Sequence, residues 1–188
     1  MQKARRVIFV LAIVVSLVST ATVLADALKF KALMSSRQEV PPAGVVVNSR
    51  SIGLAEFKLS RDGTELHYKL RVTKIDNAFM AHIHMAPAGS NGPIVVWLFP
   101  GTDPVPGPLG AGRQRGKLAE GTITAANLVG PLAGQPLSAL VDAIQAGNAY
   151  VNIHTNDGVA PTNTGPGDFP GGEIRGQLSD HDHGHDDD

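Results

Sequence analysis

The chain of 188 residues contains no cysteine. That excludes disulfides, thiolate metal sites and redox dithiols, even in an oxidising compartment that would permit disulfides. A surplus of one charge is also missing. The formal net charge is -1, which leaves no electrostatic footprint for nucleic acid or for an acidic surface. Helix-forming charge pairs are few. Gly-x-Ser-x-Gly does not occur, there is no thiol to pair with a histidine, and no Gly-rich phosphate loop follows a strand and opens a helix. Ordinary hydrolase and nucleotide-binding chemistry are therefore poorly supported. What is plentiful is glycine (21) and proline (13), a composition that favours short strands joined by turns.

The N-terminus carries the clearest signal. Lys3, Arg5 and Arg6 precede an apolar run from Val7 to Val18, broken only by Ser16. Val23-Leu24-Ala25 then offers small residues where a signal peptidase reads. Residues 1–25 are expected to be a cleaved secretion signal, with the mature chain starting at Asp26. The alternative is an uncleaved anchor, since Val7 to Ala25 approaches the length of a membrane span. Ser19, Thr20 and Thr22 weaken that reading. Removing about 25 residues leaves roughly 160, enough for one domain with its own core.

Alternating apolar residues predict strands over 27–34, 53–59, 66–72, 79–85, 93–99, 121–124, 150–154 and 173–178. Arg61-Asp62-Gly63 turns the second strand into the third as a hairpin. Residues 100–116 read as loop. Pro136 to Ala146 is the one helix, with Leu137, Leu140, Val141 and Ile144 on one face and Gly147 to close it. Asn156 to Gly172 is a long loop rich in Gly and Pro, and such a loop in a compact domain is usually functional or disordered. The expected fold is mostly β: an antiparallel, Greek-key-like β-sandwich or flattened barrel over 26–178, with one short crossover helix. The tail 179–188, SDHDHGHDDD, has no apolar residue to bury and is expected to be disordered and dispensable for folding. Its His181, His183 and His185 are weak chelators of divalent metal.

Side chains alternate along a strand, so His82 and His84 share one face while Ala81 and Ile83 share the other. His154 falls in Tyr150-Val151-Asn152-Ile153-His154, where Val151 and Ile153 take the core side. If the two strands are neighbours, three imidazoles meet on one patch facing away from the core, and an imidazole-only site suits copper or zinc. The plainer reading makes the histidines surface or hydrogen-bonding groups satisfied by loop carbonyls. Met80 has the parity of His82 and His84 and is the better candidate for a fourth ligand, Met85 the worse; core packing accounts for either. Glu173 and Arg175 share a face and are expected to pair with a neighbouring strand or with the 156–172 loop. His67 reads as exposed.

Gln38-Glu39-Val40-Pro41-Pro42, Ala81-His82-Ile83-His84, Asn91-Gly92-Pro93-Ile94-Val95, Tyr150-Val151-Asn152-Ile153-His154-Thr155 and Gly171-Gly172-Glu173-Ile174-Arg175-Gly176-Gln177-Leu178 together resemble the CHRD domain, named from its occurrence in chordin. The resemblance runs from about Leu28 to Leu178 and implies an extracytoplasmic β domain. A fainter resemblance is to copper–zinc superoxide dismutase, a Greek-key β-sandwich in which a His-x-His strand and a later strand supply copper ligands. By that order His82, His84 and His154 match the copper ligands. No histidine lies between His84 and His154, so the bridging histidine and zinc site of that family have no match, and its disulfide is impossible here.

These readings converge on an exported protein, secreted or periplasmic, that binds copper (zinc less favoured) through His82, His84 and His154. No catalytic residue is assigned. Were it an enzyme, it would be a copper-dependent oxidoreductase of the superoxide dismutase type. The alternative is a non-enzymatic interaction module for an extracellular protein or a cell-surface polymer, with structural histidines.

Overall fold

A computed structural model describes residues 27–181; the expected signal and most of the tail lie outside them. Among the described residues nine strands form one antiparallel sheet in the order β5-β4-β7-β8-β1-β2-β3-β6, and β9 pairs with β1. The strands are β1 (Lys29–Ser35), β2 (Ile52–Leu59), β3 (Leu66–Asp76), β4 (Ala78–His84), β5 (Ile94–Phe99), β6 (Arg113–Ile123), β7 (Tyr150–Thr155), β8 (Ile174–Gln177) and β9 (Ser179–Asp180). The sheet curls into a nearly closed barrel, or flattened sandwich, as expected.

Period-two alternation builds the barrel wall. Phe30, Ala32 and Met34 of β1 point inward and are buried, as are Ala55 and Phe57 of β2 and Leu66, Tyr68, Leu70 and Val72 of β3. The Tyr68 hydroxyl donates to the Leu98 carbonyl at 2.7 Å, which ties β3 to β5 through the interior. Val129 N–H donates to the Val95 carbonyl at 2.9 Å, so a segment after β6 covers part of the free edge of β5. Among the described residues the single α-helix, α1 (Leu137–Gln145), lies between β6 and β7 in the chain and buries Leu137, Leu140, Val141 and Ile144 in the same core. Among the described residues, no helix is long and apolar enough to cross a membrane.

Two segments differ from expectation. Strand β6 starts at Arg113 rather than Gly121 and runs for 11 residues. Only Ala119 and Ile123 of it are buried, too sparse a pattern to betray a strand; pairing with β3 extends it instead. At the other end, Ser179 and Asp180 pair with Lys31 and Phe30, so the first two residues of the expected tail join the sheet.

Strand β4 lies between β5 and β7, with register shifts between Ala81 and His82 and between Ile83 and His84 on the β5 side. Such irregularities re-aim side chains locally. Its inward residues Ala78, Ala81 and Ile83 join the core with Val151 and Ile153 of β7. The opposite face carries polar rows: Trp97, His82, Asn152 and Arg175 stand in register across β5, β4, β7 and β8, and His84, Tyr150 and Gln177 form the next row.

Candidate metal centre

Register brings the three histidines together. β4 and β7 are direct neighbours, with His82 opposite Asn152 and Met80 opposite His154. The imidazoles of His82, His84 and His154 converge: one nitrogen from each lies within 4.8 Å of the others. The patch faces away from the hydrophobic core, as strand parity requires, yet it is not open to solvent. His82 is fully buried, and His84 and His154 are 8% and 7% exposed. The loops roof this outer face.

Two of those loops fix the tautomers. The Gly92 carbonyl accepts from His84 Nδ1 at 2.8 Å, and the Pro170 carbonyl accepts from His154 Nδ1 at 2.8 Å. A carbonyl can only accept, so both Nδ1 atoms carry the proton and both Nε2 atoms present lone pairs. His82 Nδ1–H donates to His154 Nε2 at 3.1 Å. Asn152 Oδ1 lies 3.1 Å from the same nitrogen; both are acceptors in this tautomer, so a bond there requires the amide to turn its N–H toward His154. His82 Nε2 and His84 Nε2 are buried without a hydrogen-bond partner, an uncommon state for buried polar atoms.

Burial sets the charge of the cluster. It pushes His82 down to about 2, with further depression from His154 and His84. It holds His154 at about 4 despite the Pro170 bond, and it lowers His84 as well. All three are neutral imidazoles near neutral pH, the ligand form. Tetrahedral bonds near 2 Å place ligand nitrogens about 3.4 Å apart, so edges of the triangle, all within 4.8 Å, would shorten by at most about 1.4 Å. His82 has no carbonyl partner among the described residues, and its bond to His154 is the one an ion would replace.

Aromatic rings wall the cluster. Trp97 meets His82 edge-on at 4.2 Å between centroids, and Tyr150 stacks on His84 at 4.9 Å and 7°. The guanidinium of Arg175 sits 3.4 Å from the Tyr150 ring centroid and donates to the Pro87 and Ser90 carbonyls and to Asn91 Oδ1. Met80 is half-buried on the strand beside His154, whereas Met85 packs against the core. His67 is exposed, against Thr122 and Glu65. Glu173 is fully buried and bonds Thr155 and Gly167, a neighbouring strand and the 156–172 loop. In the sequence Glu39 is marked only by its motif. Burial pushes its carboxyl up to about 8 although Arg175 pulls the other way.

The family model of the CHRD domain matches residues 30–178. The chain belongs to the CHRD-domain family. The match spans β1 to the end of β8, so the histidine cluster and the loops over it lie inside the CHRD domain. No curated protein and no solved structure matches the chain; the fainter likeness to copper–zinc superoxide dismutase rests on the order of the histidines alone.

Proposed function

We propose that this CHRD-domain protein is exported and binds one copper ion through His82, His84 and His154. The observation that carries the reading is the pair of carbonyl-locked imidazoles. Gly92 and Pro170 hold the Nδ1–H groups of His84 and His154, which leaves both Nε2 atoms unprotonated in a cluster where one nitrogen of each ring lies within 4.8 Å of the others; His154 would exchange its bond from His82 for the ion. An acceptor on the far ring nitrogen is what orients a metal-ligating imidazole. Copper is favoured over zinc because an all-imidazole site suits it and because it stands above zinc in intrinsic affinity. The ion would supply a Lewis-acidic or redox-active centre. The deep burial of His82 suits holding an ion more than turning over a substrate.

Metal analysis tests this in protein whose His181, His183 and His185 are replaced by asparagine, so that chelation by the tail does not count. About one copper per chain is expected, and its loss in the His82→Asn, His84→Asn double variant. Copper retained in full by that variant would sink the proposal. Export rests on Lys3, Arg5, Arg6 and the apolar run before Ala25. N-terminal sequencing should find Asp26 first; an intact Met1 on membrane-bound protein contradicts cleavage.

An interaction module remains the second reading, favoured by Leu33 and Ile52, which are 63% and 42% exposed on the outer face of β1 and β2. It predicts capture of an extracellular partner that His82→Asn leaves untouched and Leu33→Asp abolishes.

A further inference from the structure

We infer that Glu173 is a positioning residue for the histidine cluster: through Thr155 and Gly167 it fixes the loop segment 167–170, whose Pro170 carbonyl sets the tautomer of His154. Glu173 touches none of the three imidazoles. Its carboxylate is fully buried and lies within hydrogen-bond distance of four donor groups. Ser49 Oγ donates to Oε1 at 2.5 Å, and Ser51 Oγ, whose one proton is shared between Oε1 at 2.9 Å and the Lys74 carbonyl at 3.0 Å, lies beside it. Thr155 Oγ1 at 2.7 Å and Gly167 N–H at 2.8 Å donate to Oε2. Its own N–H donates to the Ile153 carbonyl on β7 at 2.8 Å.

The Oε2 half faces the loop. The Thr155 hydroxyl gives its proton to Glu173 and accepts Phe169 N–H at 2.9 Å. Thr155 N–H donates to the Phe169 carbonyl at 3.2 Å. The loop is thus clamped at Gly167 and at both polar groups of Phe169, one residue before Pro170. The Pro170 carbonyl then has one place to be, against His154 Nδ1 at 2.8 Å. A buried carboxylate needs its full set of donors, and meeting that need immobilises a glycine- and proline-rich segment that would otherwise sample many conformations. His84 is anchored from a different loop, through Gly92, and is independent of Glu173.

The bearing of this role on metal affinity rests on the reading proposed above; its bearing on the imidazole does not. Nitrogen-15 spectra of the metal-free protein separate Nδ1–H from Nε2–H imidazole. In the parent protein His84 and His154 are both expected as Nδ1–H. In Glu173→Ala, His154 should lose its single tautomer while His84 keeps it, and copper affinity should fall about 10–100-fold. Glu173→Gln, which can keep its oxygen toward Thr155 and Gly167 and turn its amide to the serines, should retain the parent behaviour. If Glu173→Ala does not fold, Thr155→Val against Thr155→Ser makes the same comparison. Folded Ala or Val variants that keep His154 as Nδ1–H overturn the inference, as does equal loosening of His84 and His154. A parent protein that takes up no copper, yet shows the His154-specific change, overturns the metal reading and upholds the positioning role.

Discussion

His84 and Gly92, eight positions apart, are joined by a 2.8 Å bond from the imidazole Nδ1–H to the glycine carbonyl. Gly92 has no room for a side chain: a Cβ there would lie 2.0 Å from the Met85 carbonyl oxygen. Gly92→Ala must therefore push the backbone away from His84. Such overpacking costs about 1–3 kcal/mol, read as a lower urea midpoint. Copper affinity should drop about 10-fold or more as the His84 tautomer loosens. An alanine variant with parent affinity would show that this carbonyl does not orient the ring.

Acid should unfold the metal-free protein early. His82 and His154 are pushed down to about 2 and about 4 by burial, against about 6.5 in an unfolded chain. Between pH 6.5 and 4 the unfolded state binds the extra protons. Stability then falls with falling pH, by about 1.4 kcal/mol per pH unit for each histidine. Glu39 acts in the opposite sense. Its carboxyl is raised to about 8, so the stability it lends is complete below pH 4.5 and is lost as pH rises toward 8. Two histidines outweigh one carboxyl below pH 6.5, and above it the slope of Glu39 remains. The urea midpoint should peak near pH 6.5; a peak below pH 5 would mean that the imidazoles are protonated in the fold.

Trp97 is the one tryptophan of the chain, and its ring contacts His82. Binding of Cu(II) at the cluster should quench most of the intrinsic fluorescence, whereas Zn(II), with a closed shell, should leave it largely intact. His82→Asn should abolish the copper effect. Equal responses to the two ions would argue against copper at the cluster.

Arg175 is buried beneath the same loops, with three oxygen acceptors and the Tyr150 ring as its surroundings. Lysine lacks the planar fork that serves several acceptors and stacks on the ring. Arg175→Lys should lower stability by about 2–3 kcal/mol, measured by chemical denaturation. A loss under half a kcal/mol would show that the fork is dispensable.

Much of this arrangement was legible along the chain. Parity alone put His82 and His84 together, and the same parity placed Asn152 and His154 on the matching face of β7. What parity does not encode is the roof. The carbonyls of Gly92 and Pro170 have no side-chain signature, and a backbone oxygen aimed at an imidazole leaves no trace in residue types. Hence the imidazoles read as facing outward, when loops in fact bury them. Strand β6 was missed for a related reason. Its ladder with β3 is set by a long-range partner, while Gly116 and Gly121 interrupt the local alternation. The helix was plain because four apolar residues at helical spacing and the closing Gly147 are all local features.

The bond between His82 and His154 spans 72 positions of the chain. An ion shared by those two residues would staple β4 to β7 and enclose the whole β5–β6–α1 excursion in a covalent-like ring. In the chain-entropy treatment of cross-links, a ring of that size removes roughly 4 kcal/mol of freedom from the unfolded chain. A chain without cysteine would thereby obtain from three imidazoles the topological restraint that exported domains commonly take from a disulfide.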